Sequence, residues 1–115
     1  YPWKLTLGDY AWVGDDAVLY TLGEITIGAN SVVSQKCYLC TGSHDFMSQH
    51  FDITASPIVI GEKCWLATDV FVAPGVSVGD GTVVGARSSV FKSLPANKIC
   101  RGNPAVVIRE RVETD

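Results

Sequence analysis

A repeat of six residues runs through most of this sequence, and it constrains the fold more than any other feature. Aliphatic side chains recur at every sixth position from Ile60 to Val90, and shorter runs with the same step begin at Leu7 and Ile27. A helix repeats every 3.6 residues and an ordinary half-buried strand every two, so neither accounts for this period. Turn-forming residues lie between the aliphatic positions, as in "GDD", "GAN" and "GDG". The pattern predicts short strands separated by sharp turns.

Three such strands would close one triangular coil, and successive coils would stack at the ~4.8 Å spacing of neighbouring strands. The stacked aliphatic and small side chains would then fill the interior. Glycine often follows the aliphatic residue, and we expect those glycines at corners whose backbone requires positive φ. The register predicts stacked pairs one coil apart: Ile60 with Val78, Leu66 with Val84, and Val72 with Val90.

The stretch "LCTGSHDFMSQHF" interrupts the repeat and contains both histidines of the chain, His44 and His50. The next inward position of the repeat would be Asp45, and an unpaired carboxylate is too costly to bury in an aliphatic interior. We therefore predict that the chain leaves the coil there in an excursion over residues 45–57. Excursions from a rigid scaffold often carry function, which makes His44, at the point of departure, a candidate functional residue.

Length and charge restrict the remaining possibilities. A chain of 115 residues is predicted to form a single domain over residues 1–115. The formal net charge of −3, with no basic run, argues against a nucleic-acid partner. No apolar run approaches the roughly 20 residues that span a bilayer, so we expect no membrane insertion. Cys37 and Cys40 form a C-x-x-C without a second pair at zinc-site spacing, and the four cysteines are predicted to be buried or half-buried thiols of a cytoplasmic protein.

The repeat resembles that of the hexapeptide-repeat acyltransferases, which fold as left-handed parallel β-helices. This resemblance supplies the handedness, because general rules for parallel crossovers favour the right-handed form. The motif "GSHD", followed by "IVIGEKCWLATDVFVAPGVSVGDGTVVGARSSV", is similar to the sugar O-acetyltransferases that act on maltose and galactosides, and "GNPAVVIR" resembles their C-terminal signature. The segments "YPWKLTLGDYAWVG" and "YLCTGSHDF" resemble the colanic acid biosynthesis acetyltransferases. Further sequence usually precedes "YPWKL" in that family, so we expect this chain to lack an N-terminal part. The expected fold is all-β, a left-handed parallel β-helix with one protruding loop and a short C-terminal segment.

The resemblance implies transfer of an acetyl group from acetyl-CoA to a hydroxyl of a sugar or polysaccharide precursor. The alcohol must lose a proton as it attacks the thioester, and His44 aligns with the catalytic histidine of the family, which implies a general base. Asp45 could orient the imidazole, although a backbone carbonyl could do the same. His50 matches no functional position of the family.

The resemblance also implies how the coenzyme binds. Trp65 would form an apolar wall for the pantetheine arm, and the backbone amides at Thr68 and Ala86 would hydrogen-bond that arm. The amide near Thr68 is in addition a candidate oxyanion donor. Lys92 and Arg109 occupy positions at which cationic side chains meet the nucleotide phosphates.

Two departures from the family concern the site. Phe91 stands where sugar acetyltransferases often carry threonine, which removes one polar contact. A family asparagine that helps bind the acceptor aligns near Gly14 and is absent. Asp15, Asp16 or Tyr20 are the candidates to replace it in acceptor binding.

Counting along the repeat places the candidate groups far apart in one chain. Thr68 and Ala86 fall in line along one face, whereas His44 falls near a different corner, about 15–20 Å away at ~3.3 Å per residue. No side chain spans that distance. The resemblance implies trimers with three sites between subunits, and we predict a homotrimer in which His44 of one chain faces Trp65 and Thr68 of the next.

Rival classes share the same fold. The γ-class carbonic anhydrases need three histidine ligands around each zinc, and this chain has two histidines in total, so no metal is expected. A serine or amino-sugar acetyltransferase and a non-catalytic structural β-helix remain open alternatives, because the repeat does not identify the acceptor.

Overall fold

A computed structural model describes residues 1–44, 49 and 53–112, with His44 described by its backbone alone. These residues form four stacked triangular coils of short strands, entered through a 3-10 turn at Pro2–Lys4. The strands follow coil by coil: β1 Leu5–Leu7, β2 Trp12–Val13 and β3 Val18–Tyr20; β4 Ile25–Ile27, β5 Val32–Val33 and β6 Tyr38–Cys40; the hairpin strands β7 Gly42–His44 and β8 Ile53–Ala55; β9 Ile58–Ile60, β10 Trp65–Leu66 and β11 Phe71–Val72; β12 Ser77–Val78, β13 Val83–Val84 and β14 Ser89–Val90; and finally β15 Lys98–Gly102 and β16 Ala105–Glu110.

Each coil contributes one strand to each of three parallel sheets. The first sheet has the order β1-β4-β9-β12, the second contains β2-β5-β10-β13-β15 with β16 added antiparallel at its end, and the third has the order β3-β6-β11-β14. The predicted stacking is confirmed, because Ile60 pairs with Val78, Leu66 with Val84 and Val72 with Val90.

The core is the interior of the coils, as the period predicts. The aliphatic position of each inner strand is buried, and so is the small residue four positions later. Examples of the first kind are Val33, Leu39, Leu66 and Val84, and of the second kind Ser31, Cys37, Cys64, Thr82 and Ser88. The small polar members are satisfied by neighbouring coils: the hydroxyl of Ser31, for example, donates to the carbonyl of Gly61 and accepts from the amide of Cys64.

The glycines play a different part from the one predicted. The residues with positive φ come two positions after the glycines in the chain, for example Asn30 (59°) and Lys63 (55°). Gly28 and Gly61 themselves have negative φ. An ideal Cβ built on Gly28 would lie 2.6 Å from the carbonyl carbon of Gly61 in the next coil. Gly28 and Gly61 are therefore required by the close approach of stacked corners, and a side chain at either position would push two coils apart.

The first coil follows the same register but is not buried. Leu7 pairs with Ile27, as the repeat requires, yet its side chain is 48% exposed. The reason is that, among the described residues, no coil lies on the other side of β1–β3. The prediction that the aliphatic positions fill an interior therefore applies to the second to fourth coils, and only partly to the first.

The excursion begins earlier than predicted. The chain leaves the coil at Thr41–Gly42 rather than at Asp45, because β7 already pairs antiparallel with β8 and is not stacked on a lower coil. The buried hydroxyl of Thr41 fixes this point by donating to the carbonyl of Tyr20 and accepting from the amide of Gly23. The coil resumes with β9, whose Ile58 pairs with Ile25. Asp45 and His50 lie outside the described residues.

Candidate active site

Four residues line up at the corner between the second and third sheets, and we call them the corner column: Asp15, Gln35, Thr68 and Ala86. Backbone bonds between adjacent turns establish this alignment. The carbonyl of Asp15 accepts from the amide of Lys36, that of Gln35 from Asp69, and that of Thr68 from Arg87, at 2.9, 3.1 and 2.9 Å. The predicted line through Thr68 and Ala86 is thus present and extends further down to Gln35 and Asp15.

The corner column presents backbone amides that the coil stack does not use. On either side of Ala86, the amide of Gly85 donates to Cys100 and that of Arg87 to Thr68. Among the hydrogen bonds between described residues, none uses the amide of Ala86 or that of Thr68. In the described part of the chain, amides that donate to an adjacent coil also alternate with unbonded amides at the corner between the first and second sheets. Free amides alone therefore do not define a site, and the neighbouring side chains must do so.

Trp65 distinguishes this corner. It lies on β10, outward on the second sheet, with half of its surface exposed. Its indole nitrogen donates to the hydroxyl of Ser34 at 3.1 Å, and Ser34 directly precedes Gln35 of the corner column. The indole therefore extends towards the column, and an apolar wall and a row of free amides lie side by side.

Arg109 lies above Trp65 on the second sheet. It pairs with Ile99, which pairs with Val83, which in turn pairs with Trp65, so three strand spacings separate β16 from β10. At ~4.8 Å per spacing this is about 14 Å. The arginine is exposed at the end of the stack and can meet a ligand that runs along the column.

Lys92 and His44 belong to the opposite corner. Lys92 is exposed and follows β14, where the third sheet turns towards the first. His44 ends β7, which leaves the second coil at that same corner. The width of the third sheet therefore separates both residues from Thr68 and Ala86 within one chain. The predicted coenzyme set is divided accordingly: Trp65, Thr68, Ala86 and Arg109 lie on one side, and Lys92 lies with His44.

The three acceptor candidates are divided in the same way. Asp15 and Asp16 are exposed in the first coil at the corner column, and Asp16 adopts positive φ (58°) as a turn residue. Tyr20, 44% exposed on β3, lies at the His44 corner. Its ring lies so close to the backbone of Gly42 that a Cβ built on that glycine would be 2.6 Å from the ring. Tyr20 therefore supports the base of the hairpin that carries His44.

Three of the four cysteines lie in environments that keep their thiols protonated. Cys37, Cys64 and Cys100 are buried and Cys40 is half-buried, all as free thiols, which confirms the prediction about their burial. Burial raises the pKa of the Cys37, Cys64 and Cys100 thiols, so they remain neutral near pH 7. Within residues 1–44, 49 and 53–112, no three His, Cys, Asp or Glu side chains are grouped as metal ligands, and no helix is long and apolar enough to cross a membrane.

Sequence reasoning missed Gln35 as a member of the corner column. Thr68 and Ala86 are separated by one coil, but the excursion lies between Gln35 and Thr68 and destroys the count. The sequence does contain the necessary signal. Counting back six residues from Leu39 gives Val33, and Gln35 follows Val33 by two positions, as Thr68 follows Leu66.

The fold agrees with that of known proteins. Residues 57–92 match the family described as bacterial transferase hexapeptide (six repeats). Over all 115 residues it is 87% identical to the "putative colanic acid biosynthesis acetyltransferase WcaF" of Escherichia coli (strain K12), of which it spans 63%.

Two solved structures share the architecture. A maltose O-acetyltransferase from Clostridium difficile 630 superposes with a TM-score of 0.93 at 28% identity, covering 98% of this chain and 62% of that one. A hexapeptide-repeat acetyltransferase, VCA0836 from Vibrio cholerae O1 biovar eltor, complexed with acetyl coenzyme A, superposes with a TM-score of 0.90 at 27% identity, covering 96% and 62%. The chain thus spans somewhat less than two thirds of each of these three proteins.

Proposed function

We propose that this chain is the catalytic β-helix of an acetyl-CoA-dependent O-acetyltransferase that modifies a hydroxyl of a sugar or polysaccharide precursor. The observation that carries the proposal is the exposed indole of Trp65 beside two free backbone amides, on a fold that matches an acetyl-CoA complex. The similarity to a colanic acid biosynthesis acetyltransferase and to a maltose O-acetyltransferase favours a sugar hydroxyl over serine or an amino sugar.

In the proposed mechanism, His44 is the general base. As the acceptor oxygen attacks the thioester carbonyl carbon, the hydroxyl proton passes to the neutral imidazole. The amide of Thr68 donates to the oxyanion of the tetrahedral intermediate. The carbon–sulfur bond then breaks, the imidazolium returns its proton to the departing sulfur, and the products are the acetyl ester and coenzyme A. Asp45 is proposed to hold the imidazole in the required orientation.

Two features of the assembly belong to the proposal. The coils are proposed to wind left-handed, as in the acyltransferases that the repeat resembles. The active unit is proposed to be a homotrimer, because the third sheet holds the His44 corner and the corner column apart by roughly 15–20 Å within one chain. A neighbouring chain that brings its His44 corner against Trp65 and Thr68 closes this gap, and three-fold symmetry repeats the contact.

The coils in which the proposed site residues lie indicate which end of the coenzyme would point towards the C-terminal end of the stack. Thr68 lies in the third coil and β7 leaves the second, so the reacting groups would meet low in the stack. Arg109 lies on β16 at the top, and Lys92 lies in the fourth coil on the neighbour's corner. The pantetheine arm would therefore rise along Trp65 and Ala86, with its phosphates between Arg109 of one chain and Lys92 of the other.

The acceptor would occupy the lower part of the same cleft. Asp15 continues the corner column below Thr68, and Tyr20 stands at the base of the neighbour's hairpin, so the two meet only across subunits. Carboxylates and a phenol can hydrogen-bond several hydroxyls of one sugar. Because acetyl-CoA is proposed as the donor and the cysteines are free thiols, we also propose that the enzyme works in the cytoplasm.

The first test is a screen of acceptors by release of the coenzyme A thiol. Sugars, nucleotide-linked sugars, amino sugars and serine would be compared, and mass spectrometry of the product would distinguish an ester from an amide. We expect acetyl-CoA to bind and a sugar hydroxyl to be acetylated. Transfer only to amines would refute O-acetylation, and failure to bind any acyl-CoA would favour a structural β-helix.

The shared site predicts complementation between two inactive variants. His44→Ala removes the base, and Ala86→Trp, at an exposed position, blocks the groove. Every mixed trimer would contain one interface with an intact base and an intact groove. Random assembly of equal amounts makes three quarters of the trimers mixed, so about a quarter of wild-type activity is expected. Each variant refolded alone is the control, and no recovery from verified mixed trimers would rule out the shared site.

A further inference from the structure

Strand β16 reaches the candidate site by an irregular path. It pairs antiparallel with β15, and a register shift falls between Ile99 and Cys100, which pair with Arg109 and Val107. Arg109 therefore lies beyond a bulge, near the end of an edge strand whose residues 106–110 are all exposed. Such a strand end has few packing contacts and opens easily unless other contacts hold it.

Besides the ladder pairs with Lys98 and Ile99, three contacts between described residues hold the end of β16 beyond the bulge. Lys98 donates to Glu110 at 2.7 Å, and this hydrogen bond lowers the pKa of the Glu110 carboxyl, which keeps it ionised. The amide of Arg111 donates to the carbonyl of Asn97 at 2.9 Å. The third contact is made by the Arg111 guanidinium and differs from the others, because it reaches out of the hairpin to the coils.

The guanidinium of Arg111 bridges two stacked corners between the first and second sheets. One of its nitrogens, Nη1, donates to the carbonyls of Lys63 and Gly81, both at 3.0 Å. Both acceptors are turn residues with positive φ, in the third and fourth coils. No other donor among the described residues uses these two carbonyls. The bond from Arg111 to Gly81 is partly buried, whereas the bond to Lys63 and the Lys98–Glu110 pair are exposed. The bond to Gly81 is therefore the least screened of these charge-assisted contacts.

We infer that Arg111 is a positioning residue for the coenzyme site: it locks the end of β16 to the coil stack and so holds Arg109 in reach of the coenzyme phosphates. The inference rests on the proposed function, because it assumes that Arg109 meets those phosphates. Arg111 lies on the far side of the second sheet from the corner column and touches no proposed ligand. Its effect on binding must therefore pass through the strand.

The test measures binding of coenzyme A and of pantetheine by calorimetry to the wild-type chain and to Arg111→Gln. Pantetheine lacks the phosphates, so it reports the lower part of the site alone. We expect Arg111→Gln to weaken coenzyme A binding about tenfold, the size of one lost charge-assisted hydrogen bond, and to leave pantetheine binding unchanged. Lys4→Gln is the matched control, because it removes a similar cation-to-carbonyl bond, Lys4 to Leu22 at 2.7 Å, far from β16.

A double-variant cycle separates positioning from general damage. In an Arg109→Gln background, Arg111→Gln should cost no further affinity, since the side chain that it positions is gone. Hydrogen exchange should be faster for the amides of β16 and unchanged for those of β10 and β13. Arg111→Lys should restore part of the affinity, because an ammonium group can still donate to these carbonyls.

Several results would overturn the inference. Equal weakening of pantetheine and coenzyme A, or a further loss in the Arg109→Gln background, would mean that Arg111 acts by stabilising the whole fold. If Arg111→Gln left coenzyme A binding unchanged, the inference would be wrong but the proposed function would stand. Absence of coenzyme A binding by the wild-type chain would overturn the proposed function and this inference with it.

Discussion

Replacing His44 with alanine is expected to lower turnover by at least the ~10²-fold that accompanies loss of a general base, while acetyl-CoA binds almost as before. The two effects separate because His44 is proposed to act on the acceptor hydroxyl, whereas the coenzyme would be held along Trp65 and Ala86 of the neighbouring chain, which the substitution leaves unchanged. Turnover would be measured with the acceptor found in the screen, and binding by calorimetry.

His50→Ala is the matched control, because it removes the only other imidazole from the same excursion. It should change turnover far less. A larger effect at His50 than at His44 would mean that the base has been assigned to the wrong histidine. Loss of acetyl-CoA binding in His44→Ala would instead indicate that the hairpin, and not the proton transfer, had failed.

Val84→Asp is expected to unfold the domain rather than merely slow it. Val84 is fully buried between Leu66 of the third coil and Cys100 of β15. A carboxylate there would lie between an aliphatic side chain and a thiol, and burying a charged or newly protonated carboxyl without a hydrogen-bond partner costs much of the ~5–15 kcal/mol by which a typical domain is stable. Circular dichroism and thermal unfolding would measure the loss.

Two companion variants make this result specific to the register. Val59→Asp places the same charge on an outward position, 41% exposed on β9, and should leave the fold intact. Val84→Thr keeps the shape but buries a hydroxyl, and should lower the free energy of unfolding by about 1–3 kcal/mol. A stable and active Val84→Asp protein would contradict the stacking described above.

The period of six was enough to predict the coils, their register and most of the core. Val84 and Leu66 could be paired by counting along the sequence, because a strict repeat makes residues one coil apart neighbours. The same count failed at Gln35, since the excursion inserts residues that belong to no coil. It also misjudged the point of departure, where the hydroxyl of Thr41, rather than the charge of Asp45, marks the end of regular stacking.

Contacts between distant parts of the chain were not predictable in the same way. The role of Gly28 depends on how closely the backbone of Gly61 approaches it, a distance that no sequence pattern contains. Arg111 binds the carbonyls of Lys63 and Gly81, which precede it by 48 and 30 positions in the chain. Nothing in the sequence distinguishes it from an arginine that makes no such contact. Such side-chain-to-backbone bonds depend on the three-dimensional path of the C-terminal hairpin.

The regular stacking of the third and fourth coils has a consequence for the size of the donor. Each coil adds one rung of ~4.8 Å, so the height between Thr68 and Arg109 can change only in whole rungs. Within the proposed site, the stack therefore acts as a ruler that sets how far the thioester lies from the phosphates. Insertion or loss of one complete coil would keep the same pattern of stacking and still mismatch the coenzyme in the proposed site. If the proposed site is correct, loops can vary in length, but the number of coils between these two residues is fixed by the length of the coenzyme.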